Sequence, residues 1–336
     1  MLVRIPSISS LPDHASEVQR SAETVASLIR DAGCPDVRIV VEGGKPAVIA
    51  RFPAPEGQPT VCLYAHHDVQ PTGDPALWSS EAFTPAVRDG RLFGRGTADD
   101  KGGIGVHLAA LRAHDGRPPV GVTLFIEGEE EIGSPSLRRI IDTHTDLLRA
   151  DVFVIADSVN WDVDAPAFTT TLRGLADCVV EVRTLDHALH SGQFGGVVPD
   201  ALTSLCRLLA TLHDDAGNVA IEGLFSAPGP DLDYPLDRLT AESGLVDGVS
   251  WLGDGSTVTR MWTRPSVSVL AIDATPVASA SNTLAPVARA KVSLRVAPGD
   301  DAHSAEDALV RHLETHAPWG AKVTVTRGDS GQPGVI

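Results

Sequence analysis

At 336 residues, 43% hydrophobic and 21% charged, the chain has the length and apolar content for two globular domains, which excludes a disordered polymer. Its 27 basic and 44 acidic residues leave a net charge of −17, which excludes the cationic footprint that nucleic acids and anionic membrane surfaces require. Four dispersed cysteines (Cys34, Cys62, Cys178, Cys206) and no uncharged apolar run near the roughly 18 residues that cross a bilayer predict reduced, mostly buried thiols in a soluble cytoplasmic protein.

In chain order, Val18, Ala22, Val25, Ala26 and Ile29 recur at helical spacing, so residues 14–32 are predicted helical, with Gly33 as the stop. VRIVV (37–41) and AVIARF (47–52), separated by EGGK, predict strand, turn and strand. TVCLYAH (60–66) is a nearly continuous apolar run that becomes polar only at its end, the pattern of a strand buried on both faces. A helix follows at 101–114, then a strand from Gly121 that ends in acids, a helix opening at Ser134, and a strand at 151–158 ending in Asp157. Three strands therefore bring polar side chains to one sheet edge, and in open α/β sheets the carboxyl edge is where ligands bind.

From residue 174 the pattern changes. An alternating strand, an amphipathic helix (199–214), a Gly/Pro/Asp-rich insertion (223–255), strands at 266–273 and 287–298, a helix at 303–315 and a strand at 321–328 give a β-α-β-β-α-β order. That order predicts a second, smaller ferredoxin-like α+β domain over 174–328.

Four segments carry chemistry. HHDVQP sets His66 and Asp68 two apart, hence on one face of a strand, where a carboxylate can hold the second nitrogen of a metal-binding imidazole. GRGTADDKGG offers Asp99 and Asp100; one suits a bridge between two divalent ions about 3.5–4 Å apart, the other a helix N-cap. EGEEEIGS packs four glutamates at a strand end, which repel one another unless a cation intervenes, although a solvated acidic loop explains them equally well. With Asp157 these segments give one imidazole and several carboxylates, a donor set suited to Zn²⁺ or Mn²⁺. On sequence alone His190 in HSGQFGG, Asn282 and Arg295 are loop, turn or salt-bridge residues.

Together HHDVQP, DGRLFGRGTADDKGG, EGEEEIGS, VIADS and DHALHSGQFGG resemble the M20 family of dinuclear zinc peptidases, most closely its carnosinase-like dipeptidase branch, over nearly the whole chain. The resemblance implies a mixed sheet with helices on both faces in a catalytic domain (1–173), and a lid and dimerisation domain (174–328). It implies metal ligands His66, Asp99 (bridging), Glu131 and Asp157, with Asp68 orienting His66. Glu130 becomes the general base, and His190 a lid histidine that reaches the partner subunit's active site to polarise the scissile carbonyl of the substrate. Asn282 and Arg295 become substrate-binding residues, Arg295 through the C-terminal carboxylate. The cofactor expected is two Zn²⁺ per site, with Mn²⁺ or Co²⁺ as alternatives, and the substrate a small peptide cleaved by a homodimer. The family supplies a last histidine ligand from a segment returning after the lid, and residues 329–336 are expected to begin that return, so the resemblance is to a C-terminally truncated chain. An N-acyl amino-acid deacylase, or an inactive binding or dimerisation protein, are the alternative functions.

Overall fold

The computed structural model describes residues 1–335. The chain divides into two compact units, Met1–Ala167 and Phe168–Ile336, a division that falls ahead of the expected Arg173/Gly174 boundary.

In the first unit α1 (Ala15–Asp31) precedes the strands β1 (Asp36–Val40), β2 (Ala47–Phe52) and β3 (Thr60–His66). A short hairpin, β4 (Ala86–Arg88) and β5 (Arg91–Phe93), leads to α2 (Lys101–Ala113), β6 (Gly121–Glu127), α3 (Leu137–Thr143), α4 (Thr145–Leu148) and β7 (Val152–Ile155). The sheet order is β1-β2-β6-β3-β7. β1, β2 and β6 pair antiparallel, while β3 lies parallel to both β6 and β7. Successive side chains of a strand face opposite ways, so each strand feeds two cores. Val48, Ala50, Ala65, Leu124 and Ile126 pack with α1 and α2. Ile49, Cys62 and Phe125 pack with Ile140 of α3 and Leu148 of α4. Helices therefore cover both faces, as the expected mixed α/β fold requires. β6 is buried along its whole length, and full burial of each Leu, Ile or Phe there stabilises the fold by about 1.5–3 kcal/mol.

The parallel arrangement puts the carboxyl ends of β3, β6 and β7 on one edge. His66 at the end of β3 lies opposite Glu127 at the end of β6, and the chain leaving β7 stays in register through Ala156 N–H donating to the Tyr64 carbonyl (3.1 Å). Beyond β6 only glycine fits at position 128, because a Cβ would collide with the Pro46 carbonyl and the His67 ring. The helix expected from Ser134 starts later. Ser134 has φ 53° in the left-handed region, and the helix opens at Leu137, breaking at His144 before α4. The physical reason is a competing acid: Glu129 accepts the Ser136 N–H at 2.6 Å and so closes the turn from upstream.

The second unit contains β8 (Thr171–Leu172), β9 (Gly174–Arg183), β10 (Leu189–His190), α5 (Ser191–Phe194), α6 (Ala201–Ala210), α7 (Leu236–Ser243), β11 (Ser266–Asp273), β12 (Thr283–Leu284), β13 (Val287–Val296), α8 (Ala302–Thr315), β14 (Lys322–Gly331) and β15 (Gly334–Val335). Its main sheet, in the order β11-β13-β9-β14, is antiparallel throughout. With α6 and α8 packed on one face over Ala176, Cys178, Val180, Leu205, Val292, Leu294 and Leu309, this is the ferredoxin-like layering expected from the element order. β14 runs on to Gly331, and β15 pairs with β8, so residues 329–335 hydrogen-bond within this unit. Among the described residues no helix is long and apolar enough to cross a membrane.

Candidate metal centre

His66 is the hub of the first unit's carboxyl edge. Its ring is fully buried, its Nδ1 lies 3.3 Å from Asp68 Oδ1, and its Nε2 lies 3.0 Å from Asp99 Oδ1 and 3.8 Å from both Glu130 Oε2 and Asp157 Oδ2. One nitrogen is thus held by a carboxylate while the other faces three more. The side chains of Asp99, Glu130 and Asp157 are 63%, 38% and 32% exposed, so these acids remain open to a ligand. Donor atoms of His66, Asp99 and Glu131, and separately of His66, Asp100 and Asp157, lie within 4.8 Å of one another. One imidazole ringed by carboxylates, with its other nitrogen already engaged, is a donor set that fits a divalent cation.

Asp68 does more than orient an imidazole. It is buried, and its two oxygens also accept the backbone N–H groups of Glu130 (3.2 Å) and Glu131 (3.1 Å). The same carboxylate therefore fixes a ligand on β3 and the turn after β6. Burial works against its charge, but His66 and its other hydrogen-bond donors hold it below the ordinary aspartate range. Burial also disfavours a charged His66, yet the surrounding carboxylates, Asp68 foremost, push its pKa up to about 10.

The two-aspartate turn resolves into separate tasks. Asp100 is buried; its oxygens accept the His66 N–H (3.1 Å) and the Gly103 N–H (3.1 Å), making it the N-cap of α2. Asp99 is left facing His66. The glutamate cluster resolves likewise. Glu129 is buried and takes the N–H groups of Lys45 (2.8 Å) and Ser136 (2.6 Å), and Glu127 accepts the Tyr64 hydroxyl at 2.8 Å. Only Glu130 and Glu131 face the centre. Burial raises the pKa of both, with the neighbouring acids adding to the rise, and burial raises Asp157 as well.

One contributor was not singled out in the sequence. Gln70 donates its backbone N–H to Glu131 Oε1 (3.1 Å), and its amide nitrogen to Glu131 Oε2 (2.8 Å) and the Glu131 carbonyl (3.0 Å). Its position inside HHDVQP was the available signal. Lys101, next to Asp100 in the chain, is buried and donates to the Leu2 (3.1 Å) and Ile5 (2.7 Å) carbonyls.

In the second unit His190 is exposed at the end of β10, and its Nδ1 accepts the Gly192 N–H at 3.1 Å. Asn282 is its neighbour, since the Ser191 N–H donates to the Asn282 carbonyl (2.9 Å) and His190 pairs with Thr283. Arg295 is exposed on β13, away from that pair in sequence and in strand.

The fold and this centre define a carboxylate-rich candidate site for a divalent cation on the carboxyl edge of a mixed sheet. Residues 62–333 match the family model described as Peptidase family M20/M25/M40, and the chain belongs to that family. It is 34% identical over 331 residues to the Cysteinylglycine-S-conjugate dipeptidase of Corynebacterium striatum, covering 96% of this chain and 72% of that protein. It is 28% identical to the Beta-Ala-His dipeptidase of Homo sapiens, covering 80% of this chain and 56% of that protein's length. The crystal structure of human carnosine dipeptidase 1 superposes with a TM-score of 0.82 at 26% identity, over 99% of this chain and 76% of that one.

Proposed function

We propose that this chain acts as a dipeptidase that hydrolyses the amide bond of small peptides, and that it works as a homodimer in the cytoplasm. The observation that carries the chemistry is the His66 ring, with Asp68 on Nδ1 and Asp99, Glu130 and Asp157 gathered around Nε2. His66, Asp99 and Asp157 would hold one divalent cation, and Asp99 and Glu131 a second, Zn²⁺ being expected and Mn²⁺ or Co²⁺ suiting the same donors. When bound, such a pair lowers the pKa of a water towards neutrality and polarises the substrate carbonyl.

The chain's own residues do the rest. Glu130 takes the proton of the attacking water and returns it to the departing amine, and its burial favours the first half by raising its basicity. Asp68 holds the Glu130 backbone, so the base is fixed relative to His66. As the resemblance implies, His190 reaches the partner subunit's site and hydrogen-bonds the developing oxyanion there, Asn282 contacts substrate, and Arg295 binds the substrate's terminal carboxylate. The dipeptidase names of the relatives support the substrate class.

The test is metal content per chain together with turnover of a panel containing Cys-Gly, β-Ala-His and N-acetylated amino acids. Bound metal and dipeptide turnover are expected. Cleavage of the acetylated compounds alone would establish the deacylase instead, and absence of all turnover in a metal-loaded protein would refute a hydrolytic role. Glu130→Gln should cut turnover by about 10²–10⁴-fold, the range of general base catalysis, while metal content is retained; a fully active variant would remove Glu130 from the mechanism.

A further inference from the structure

One end of the second unit's sheet gathers cations around an exposed indole, against the trend of the chain. Where β9 closes and β14 opens, Arg183 and Lys322 lie directly opposite each other in the strand register. Like charges so placed destabilise a strand pair, and the unit's own acids offset them poorly. Arg183 reaches Glu181 only at 3.4 Å, an acid that Arg289 already holds at 2.6 Å, and among the described residues Lys322 forms no ion pair. The two cations border a cavity of about 370 Å³, whose wall also includes His187, Trp319 and a single acid, Asp186. That volume lies in the range of small-molecule sites. Trp319 takes its place there under strain. Its φ of 55° falls in the left-handed region, which a bulky side chain rarely adopts and glycine adopts freely. The indole is nevertheless exposed, so burial does not offset that strain. Arg207 of α6 lies over the ring with its Cζ 5.0 Å from the centroid, adding a third cation that has no carboxylate partner among the described residues. In a chain of 44 acidic and 27 basic residues, three cations and one acid around an open indole are an arrangement that a bound anion with a flat ring relieves.

We propose that this cavity is a binding site for a nucleoside phosphate, with the base stacked on Trp319 and the phosphate held between Arg183 and Lys322. A tetrahedral phosphate can take a guanidinium fork on one side and an ammonium point charge on another. Every nucleobase offers a π-face to an indole. The ligand is a free nucleotide and not a nucleic acid, because a chain of net charge −17 repels a polyanion. The site is built wholly from the second unit and does not rest on the dipeptidase reading.

Calorimetric titration of the whole chain with adenosine monophosphate, adenosine and inorganic phosphate at physiological salt tests this, with melting temperature as the check on folding. The nucleotide should bind, and adenosine and phosphate should each bind about tenfold more weakly or worse, because each makes only half of the contact. Trp319→Gly and Lys322→Gln should each weaken the nucleotide by about tenfold, the scale of a lost stacking partner or a lost charge-assisted hydrogen bond, while Lys322→Arg retains most of the affinity. Trp319→Asn, which also tolerates the left-handed backbone, replaces the glycine variant if that one loses its fold. The variants separate this cavity from the metal centre, since a phosphate held by a divalent ion there would bind them as tightly as wild type. No binding of the nucleotide, equal binding of adenosine or of phosphate, or an affinity unchanged in either the Trp319 or the Lys322→Gln variant would each overturn the site.

Discussion

Deleting the Gln70 side chain removes two of the three hydrogen bonds that Gln70 makes to Glu131, leaving the one from the Gln70 backbone and the bond from the Glu131 N–H to Asp68. Gln70 is itself exposed, so Gln70→Ala should change global stability by no more than about 0.5 kcal/mol. Its effect should appear in metal binding, because partners that orient a ligand contribute about 10–100-fold in affinity. Calorimetric titration with Mn²⁺ should show the weaker of two binding events reduced about tenfold in that variant and the stronger retained; identical isotherms would show that Glu131 positions itself. Asp68→Ala should weaken both events and also lower the melting temperature, since it strips partners from a buried imidazole and from two N–H groups at once. These residues differ in how readily sequence reveals them. The His66 and Asp68 pair is legible because the two-residue period of a strand puts both on one side. The contact of Gln70 with Glu131 spans 61 positions, and a glutamine two residues beyond a known motif has no periodicity to mark its partner. The division of labour between Asp99 and Asp100, or between Glu129 and Glu130, was equally hidden. Adjacent acids share a composition, and only the surrounding N–H groups decide which of them becomes a cap.

Within the second unit, the exposure of β11 calls for a partner. It is an edge strand of the second unit's sheet, and Val269, Leu270 and Ile272 along it are 41%, 60% and 43% exposed. Edge strands that stay solitary carry charge, proline or a short length to discourage pairing, whereas β11 spans Ser266–Asp273 with no charge before its final residue. This exposed apolar edge supports the proposed homodimer. In sedimentation velocity wild type should run as a dimer and Leu270→Asp as a monomer, with an unchanged circular dichroism spectrum because that side chain contributes nothing to the unit's own core. A monomeric wild type would remove both the dimer and any role for His190 in a partner subunit. The order of elements was readable from periodicity alone, including the switch from a mixed-sheet pattern to β-α-β-β-α-β near residue 174. What periodicity missed was the β4–β5 hairpin, the helix α7 inside the Gly/Pro/Asp-rich insertion, and the start of α3. Ser134 and Pro135 look like a cap and a first helical residue, but Glu129, fully upstream of the apparent cap, takes the Ser136 N–H and delays the helix. A helix start is a competition for N–H groups, and a sequence window that begins at the helix omits the winning acceptor.

At the scale of the whole molecule, each unit builds its core from its own residues: two clusters on either face of the mixed sheet in the first, one beneath α6 and α8 in the second. The charge distribution adds an asymmetry. Asp99, Glu130, Glu131 and Asp157 crowd around His66 in the first unit, and burial raises the pKa of Glu130, Glu131 and Asp157, which means that the folded centre resists carrying its full negative charge. A divalent cation relieves that resistance only where the acids are. Local stability, not merely global stability, should therefore respond to metal, because amide exchange reports opening segment by segment. Hydrogen exchange followed by mass spectrometry with and without Zn²⁺ or Mn²⁺ should show slowing in segments 61–70, 97–103, 127–134 and 155–158. At a free metal concentration near 100 Kd the slowing should approach about a hundredfold wherever exchange requires the centre to open. Segments in β9 and β13 should exchange at the same rate in both conditions. No slowing in the four site segments would show that these carboxylates do not hold a metal in this chain. Equal slowing in β9 and β13 would show that the ion acts through general stabilisation of the fold, and the assignment of the ligands to the carboxyl edge of β3, β6 and β7 would lose its thermodynamic support.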